Sequence, residues 1–250
     1  MSPMTISVVV FACVFGSALL GIFIHSILPK GHLDSDSKEA VRLGMALVGT
    51  TLALVLGLLI ASSKGFYDTQ SSEVTQLAAD VVVLDRVLLH FGPETKEIRE
   101  LLRSSVANMV DATWAQDGSD KTFAPFSANE GAVLGKIQQL SPQNDNQRFL
   151  QSQALSMAIK VGQTRSLMFA QQASSVPMPF LAVLVFWLIL LFMSFGLFVR
   201  PNVTVVVSLS ASALAVCCAI FLILEMYHPY GGLIQVSSAP LRAALAQLGQ

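Results

Sequence analysis

The sequence predicts an all-α membrane protein: four transmembrane helices, with a helical bundle domain inserted between the second and third. Three observations carry this. Charged residues make up only 12% of the chain, against about 25% in soluble domains. Long apolar runs recur four times, and the Lys, Arg, Asp and Glu residues concentrate between positions 64 and 165. Within that charged stretch the apolar residues follow helical rather than strand spacing.

A helix needs about 20 apolar residues to cross the hydrocarbon core, because lipid offers backbone N–H and C=O groups no partners. Segments 6–28, 43–61, 180–199 and 203–224 meet that requirement. Pro29-Lys30-Gly31 ends the first, and Arg42 and Lys64 flank the second. Pro177 and Pro179 open the third, which Arg200 closes; Pro201 precedes the fourth, and Glu225 and Pro229 follow it. Prolines suit these edges, where a missing N–H is tolerated. The first segment lacks a basic leader (Met1-Ser2-Pro3-Met4-Thr5) and an Ala-x-Ala site before Pro29, so it reads as a retained anchor.

These limits divide the chain into a transmembrane hairpin over 1–64, an extramembrane helical bundle over 65–177, a second hairpin over 178–226 and a docking tail over 227–250. Residues 29–42 read as a short polar loop and Arg200-Pro201-Asn202 as a tight turn. Four crossings put both termini and the bundle on one side. Basic residues do not settle which side: Lys30, Lys38, Arg42 and Arg200 lie on one face, and Lys64, Lys160 and Arg165 on the other.

In the bundle, Val74, Leu77, Val81, Leu84, Leu88 and Phe91 recur in steps of three and four, a coiled-coil-type seam continuing the second span. Asp80, Asp85 and Arg86 fall off it. Gly92-Pro93 ends that helix and starts another, from about Glu94 to Trp114, with Ile98, Leu102, Val106, Met109 and Val110 as its stripe. Residues 117–128 read as a loop, Glu130–Leu140 as a short helix, and Gln143–Ala173 as a long one opened by Ser141-Pro142. Tyr230 to Val236 reads as extended, and Ser238 as the cap of a short helix bearing Leu241, Leu245 and Leu248.

The second span carries Gly49, Ala53, Gly57 and Ala61 four apart, the spacing by which membrane helices approach closely. Beside that seam run Thr50, Leu54 and Leu58, which would line an apolar constriction if several copies surrounded an axis. From spacing alone, plain packing is the stronger reading of both faces. Glu225 is the carboxylate at a span end; it is either an interfacial cap beside Tyr227 and His228, or one half of a buried pair with Lys64 or Arg86. His25 reads as a packing residue.

Other functions find little support. The formal net charge of −1 gives no basic field for nucleic acid. Cys13, Cys217 and Cys218 sit in apolar runs without metal-ligand spacing, and His32 with Asp34 and Asp36 is too weak a cluster for a metal site. No Ser-His-Asp or Cys-His arrangement and no phosphate-cradling glycine loop is visible, so no catalytic residue, metal or cofactor is expected. Asn202-Val-Thr204 abuts a span and reads as a chance glycosylation triplet.

Four stretches together resemble one family: Ala79 through Asp85-Arg86 to Gly92-Pro93-Glu94, Pro179 to Trp187, Phe195-Gly-Leu-Phe198, and Leu222-Ile-Leu-Glu225 through Pro229-Tyr-Gly-Gly232. They look like the bacterial bestrophin-like membrane proteins, over most of the chain from about residue 43. The resemblance implies a homo-oligomer in the bacterial inner membrane, a pentamer as in true bestrophins, which conduct inorganic anions and place their helical domain in the cytoplasm. It further implies that the second span surrounds the axis, with Val55-Leu56-Gly57-Leu58 similar to the neck motif of those channels. The departures are Leu at aromatic neck positions, only Lys64-Gly-Phe66-Tyr67 after the span, and no counterpart of a calcium-clasp acidic cluster. Two functions follow as expectations: an oligomeric anion-channel-like pore, or a non-conducting scaffold or sensor whose seam and tail bind a partner.

Overall fold

The computed structural model describes residues 2–27, 35–114, 128–171, 178–199 and 202–249, and among them it holds eight α-helices and no strand. These are α1 (Pro3–Ile27), α2 (Ser35–Phe91), α3 (Lys96–Trp114), α4 (Ala128–Gln138), α5 (Asp145–Gln171), α6 (Met178–Leu197), α7 (Val203–Met226) and α8 (Ala239–Gln247). Four of them, α1, α2, α6 and α7, are long and apolar enough to cross a membrane.

The helix ends fall within a few residues of expectation except at α2. That helix begins at Ser35, so half of the polar loop expected over 29–42 is helical. Ser35 to Arg42 contains no Gly or Pro to stop a helix. Pro29, Lys30, His32, Asp34, most of the loop at 117–128, Pro177 and the Arg200-Pro201 turn lie outside the described residues.

The chain forms two compact units, Met1–Gly65 with Val176–Tyr227, and Phe66–Ser175 with His228–Gln250. In the first, the membrane unit, α1 packs along α6 and α7. Backbones meet where Gly21 faces Gly196. A Cβ on Gly21 would overlap the Met193 backbone oxygen, and one on Gly196 would overlap that of Ala18. Lipid removes the hydrophobic drive between helices, so such close van der Waals approach is what holds them.

The second, helical unit buries the whole predicted seam, from Val74 to Phe91, and Val74 to Leu88 of it share one core with the α3 stripe. Gly92 adopts φ 143° between α2 and the 3₁₀ turn Pro93–Thr95, a conformation in which a Cβ would strike the Glu94 carboxylate. The Thr95 hydroxyl then donates to the Leu88 and Gly92 carbonyls, closing the end of α2. Asn144 accepts from the Gln147 amide while the Gln147 side chain accepts from the Gln143 amide, which starts α5.

The tail departs from its expected extended form. Val236 N–H donates back to the Pro229 carbonyl at 2.7 Å, so the segment bends on itself. Gly231, Gly232 and Pro229 allow that bend, where alternating strand residues would resist it. Leu241 and Leu248 of α8 and its edge are buried in the same core as α3. The amide of Ala239 is taken by the Ser237 hydroxyl, while Ser238 makes no side-chain cap.

Candidate functional site

The face singled out for function lies on the membrane stretch of α2. Leu52 is buried in the membrane unit's core, and Val55, Leu56 and Leu59 pack partly against it. At about 100° per residue, Thr50, Leu54 and Leu58 stand about 160°, 200° and 240° round the helix from Leu52. They therefore point away from their own bundle, and Leu54 and Leu58 are 65% and 63% exposed. The Thr50 hydroxyl donates to the Leu47 carbonyl at 2.9 Å, as does that of Thr51. Both hydroxyls are thereby satisfied within the helix, which lets them sit at membrane depth.

The small-residue seam divides. A Cβ on Gly49 would come within 3.3 Å of Leu191 Cδ1, so Gly49 approaches α6. Gly57 has nothing within 4 Å of such a Cβ, and Ala53 and Ala61 are exposed. Three of the four seam positions are thus unused within one chain.

Glu225 is 3% exposed in the last turn of α7. Ser63 donates to the Ile60 carbonyl and to Met226 Sδ, and Ser62 lies 3.4 Å from the Tyr227 hydroxyl. These contacts bring the α2 stretch around Lys64 to the end of α7 that carries Glu225. Lys64 itself is exposed, and Arg86 is an exposed residue of the helical unit. His25 Nδ1 lies 2.7 Å from the Leu197 carbonyl; a carbonyl only accepts, so this nitrogen carries the proton and ties α1 to the end of α6. His90 Nδ1 donates likewise to the Arg86 carbonyl. Among the described residues, no three His, Cys, Asp or Glu side chains gather as a metal site.

The helical unit holds a buried polar set that the sequence did not announce. Gln70 is fully buried and accepts from the Tyr230 hydroxyl at 2.8 Å. Its amide donates to Glu73 and to Gln171, and Gln171 donates to Glu73. Trp114 donates to the Val236 carbonyl and meets the Tyr230 ring edge-on. Burial, and secondarily the Glu73 charge, raises the Tyr230 pKa well above the usual phenol value, so it stays a donor. This knot fastens the tail to α2, α3 and α5.

Two ion pairs complete the set. Arg99 forks onto Asp85 with both bonds at 2.8 Å, and the bond to Asp85 raises the Arg99 pKa. Lys160 meets Asp80 at 3.0 Å. A signal for the first existed: Asp85 and Arg99 stand seven residues either side of Gly92 (92 − 85 = 99 − 92), where a tight helical turn pairs them.

Comparison with known proteins agrees with this architecture. A family model described as Bestrophin-like domain matches residues 11–241. Crystal structures of point variants of a bacterial bestrophin homologue from Klebsiella pneumoniae share the fold. One superposes with a TM-score of 0.67 at 13% identity, covering 96% of each chain. A second gives 0.67 at 14% identity, over 99% of this chain and 97% of that one. A third gives 0.65 at 15% identity, over 95% and 99%. No curated protein matches the sequence.

Proposed function

This chain belongs to the bestrophin-like family, and from that premise we propose that it is an oligomeric, anion-channel-like pore with α2 around the axis. One observation carries the reading. Only 6% of the most apolar window of α2 is buried in the single chain, against 33%, 33% and 22% for α1, α6 and α7. The same stretch carries the close-approach seam Ala53, Gly57 and Ala61, whose natural partner is another helix. Around an axis, Thr50, Leu54 and Leu58 form a narrow apolar neck that passes or stops ions by wetting and dewetting. The family resemblance supports five copies, inorganic anions, a bacterial inner membrane, and a cytoplasmic helical unit and termini. For Glu225 two readings stand side by side, a buried ion pair with Lys64 of the same unit and an interfacial cap beside Tyr227.

The test is a planar-bilayer recording of the purified protein, beside a determination of its symmetry axis. Leu54→Ala and Leu58→Ala widen the neck and raise the current; Thr50→Ala alters it. Current unchanged by all three overturns the pore assignment. The scaffold or sensor alternative has less support, because the Val74–Phe91 seam and Leu241 and Leu248 of the tail are buried within the helical unit.

A further inference from the structure

The helical unit contains a cavity of about 720 Å³ among α2, α3, α4 and α5. That volume lies within the roughly 300–1,000 Å³ of small-molecule sites. Its walls are aliphatic, with Leu77 from α2, Leu102 and Met109 from α3, Val133 from α4 and Val161 from α5, and no aromatic ring is among the described residues that line it. Leu77, Leu102, Met109 and Val133 are all buried, so these walls belong to the core of the unit. Packed interiors leave few voids larger than a water molecule, and this space is far larger. Ile159 and Leu167, both about half exposed, stand at its edge.

One polar atom in the wall is unsatisfied. Ser105 is 5% exposed, and its hydroxyl has no hydrogen-bond partner among the described residues. A serine inside a helix ordinarily bonds the carbonyl four residues back. For Ser105 that is Leu101, whose carbonyl already accepts the Ser104 hydroxyl at 2.9 Å. Buried polar groups are normally satisfied, so an unsatisfied hydroxyl in the wall of a cavity points to a ligand atom. Arg165 also lines the space, but it is engaged in an interaction of its own. The described lining residues therefore hold no spare charge for a ligand.

We propose that this cavity binds an uncharged aliphatic chain bearing one oxygen, of the class of a medium-chain alcohol, with the Ser105 hydroxyl bonded to that oxygen. Leu, Val and Met walls fit a methylene chain, which gains free energy with each CH₂ it buries. A carboxylate or an ammonium would enter without a counter-charge, and an unpaired ion in an apolar wall costs far more than one hydrogen bond returns. A hydrocarbon without oxygen would leave Ser105 unsatisfied. This site is separate from the pore reading, and its test involves no current.

The experiment uses the full-length protein in lipid nanodiscs. The probe is decanol carrying an aliphatic diazirine, photolysed in place and mapped by peptide mass spectrometry. The membrane helices α1, α6 and α7 take up label from the bilayer in proportion to probe concentration and serve as the internal reference. The expected result is saturable labelling of the α3 and α5 peptides of the cavity wall, suppressed by decanol and not by decanoate or decylammonium. Ser105→Ala raises the probe concentration at half-saturation roughly two- to tenfold, the loss of one neutral hydrogen bond. Ala158→Phe, which fills the cavity, abolishes the saturable labelling; if that variant does not fold, Ser105→Ala decides the matter alone. Labelling of the cavity wall that rises in proportion, as in the membrane helices, overturns the proposal. So do equal suppression by decanoate, an unchanged half-saturation in Ser105→Ala, and unchanged labelling in a folded Ala158→Phe. Bilayer lipid is in large excess, so a cavity already filled by a lipid tail would show no saturable labelling and would overturn it as well.

Discussion

One helix, α2, is packed in two different ways along its length. Between positions 41 and 60 the one buried residue is Leu52. Between 70 and 91, eleven residues from Gln70 to Phe91 are buried, and three of them, Gln70, Asp80 and Asp85, are polar. Both stretches are helical and rich in Leu and Val, so apolar content does not separate them. Their polar groups do. Asp85 and Gln70 need partners that only a folded chain supplies, and they receive them from Arg99 and Tyr230. Thr50 and Thr51 bond their own helix and need nothing from outside. The first stretch is built to be covered by lipid or by other copies, and the second is committed to its own chain.

The largest effect that would sharpen this contrast is at Asp85. Its side chain is 2% exposed, and that of Arg99 is 12% exposed. Asp85→Ala leaves the guanidinium without its carboxylate, at roughly 3–5 kcal/mol for breaking a buried pair. At roughly 2–4 °C per kcal/mol for a chain of this size, the melting temperature falls by about 6 °C or more. The two tryptophans report separately, Trp114 from the helical unit and Trp187 from the membrane unit. In a Trp187→Phe background the fall is seen through Trp114 fluorescence. A shift of under 2 °C would mean that water already screens the pair.

The next effect is a paired comparison. Leu77 is fully buried, and Leu77→Ala is expected to remove roughly 2–5 kcal/mol. Leu54→Ala, from a residue 65% exposed, is expected to stay within about 0.5 kcal/mol. Thermal unfolding in one detergent measures both. Similar losses at the two sites would break the contrast, because Leu54 would then be packed against protein.

Gly57→Leu tests what covers the first stretch. Nothing lies within 4 Å of an added Cβ in the single chain, so the protomer is expected to melt as before. A helix contact between copies through Gly57 would be forced apart, so light scattering after size exclusion should report a smaller particle. An unchanged mass would place the oligomer contact elsewhere than on the seam Gly49, Ala53, Gly57 and Ala61.

The four spans and the Val74–Phe91 seam were legible because long periodic patterns average over many residues. The knot around Gln70 was not. Gln, Glu and Tyr are each ambiguous alone, and Gln70 meets Tyr230 across 160 positions of chain. The glycine contact was half visible: Phe195-Gly-Leu-Phe198 stood out as a motif, but its partner Gly21 could not be chosen among the small residues of α1. The face Thr50, Leu54 and Leu58 could be drawn from spacing. Its direction, away from the parent bundle, needed Leu52 placed in the core.

The smaller of the two ion-pair effects concerns the second pair of the same helix. Asp80 is 7% exposed at its side chain, but Lys160 is 55% exposed, so water reaches the pair from the lysine side. Gln76 also donates to the Asp80 oxygen that Lys160 meets. Lys160→Met is therefore expected to remove at most about 1 kcal/mol, a melting shift of about 2–4 °C or less. Raising salt from about 0.1 M to 1 M shortens the Debye length from about 10 Å to about 3 Å, and the shift should shrink with it. Asp85→Ala should keep its larger shift at both salt concentrations, since its partner is enclosed. A salt-independent loss at Lys160 as large as that at Asp85 would mean that both carboxylates are sealed, and that the helical unit is drier beside α5 than the exposure of Lys160 indicates.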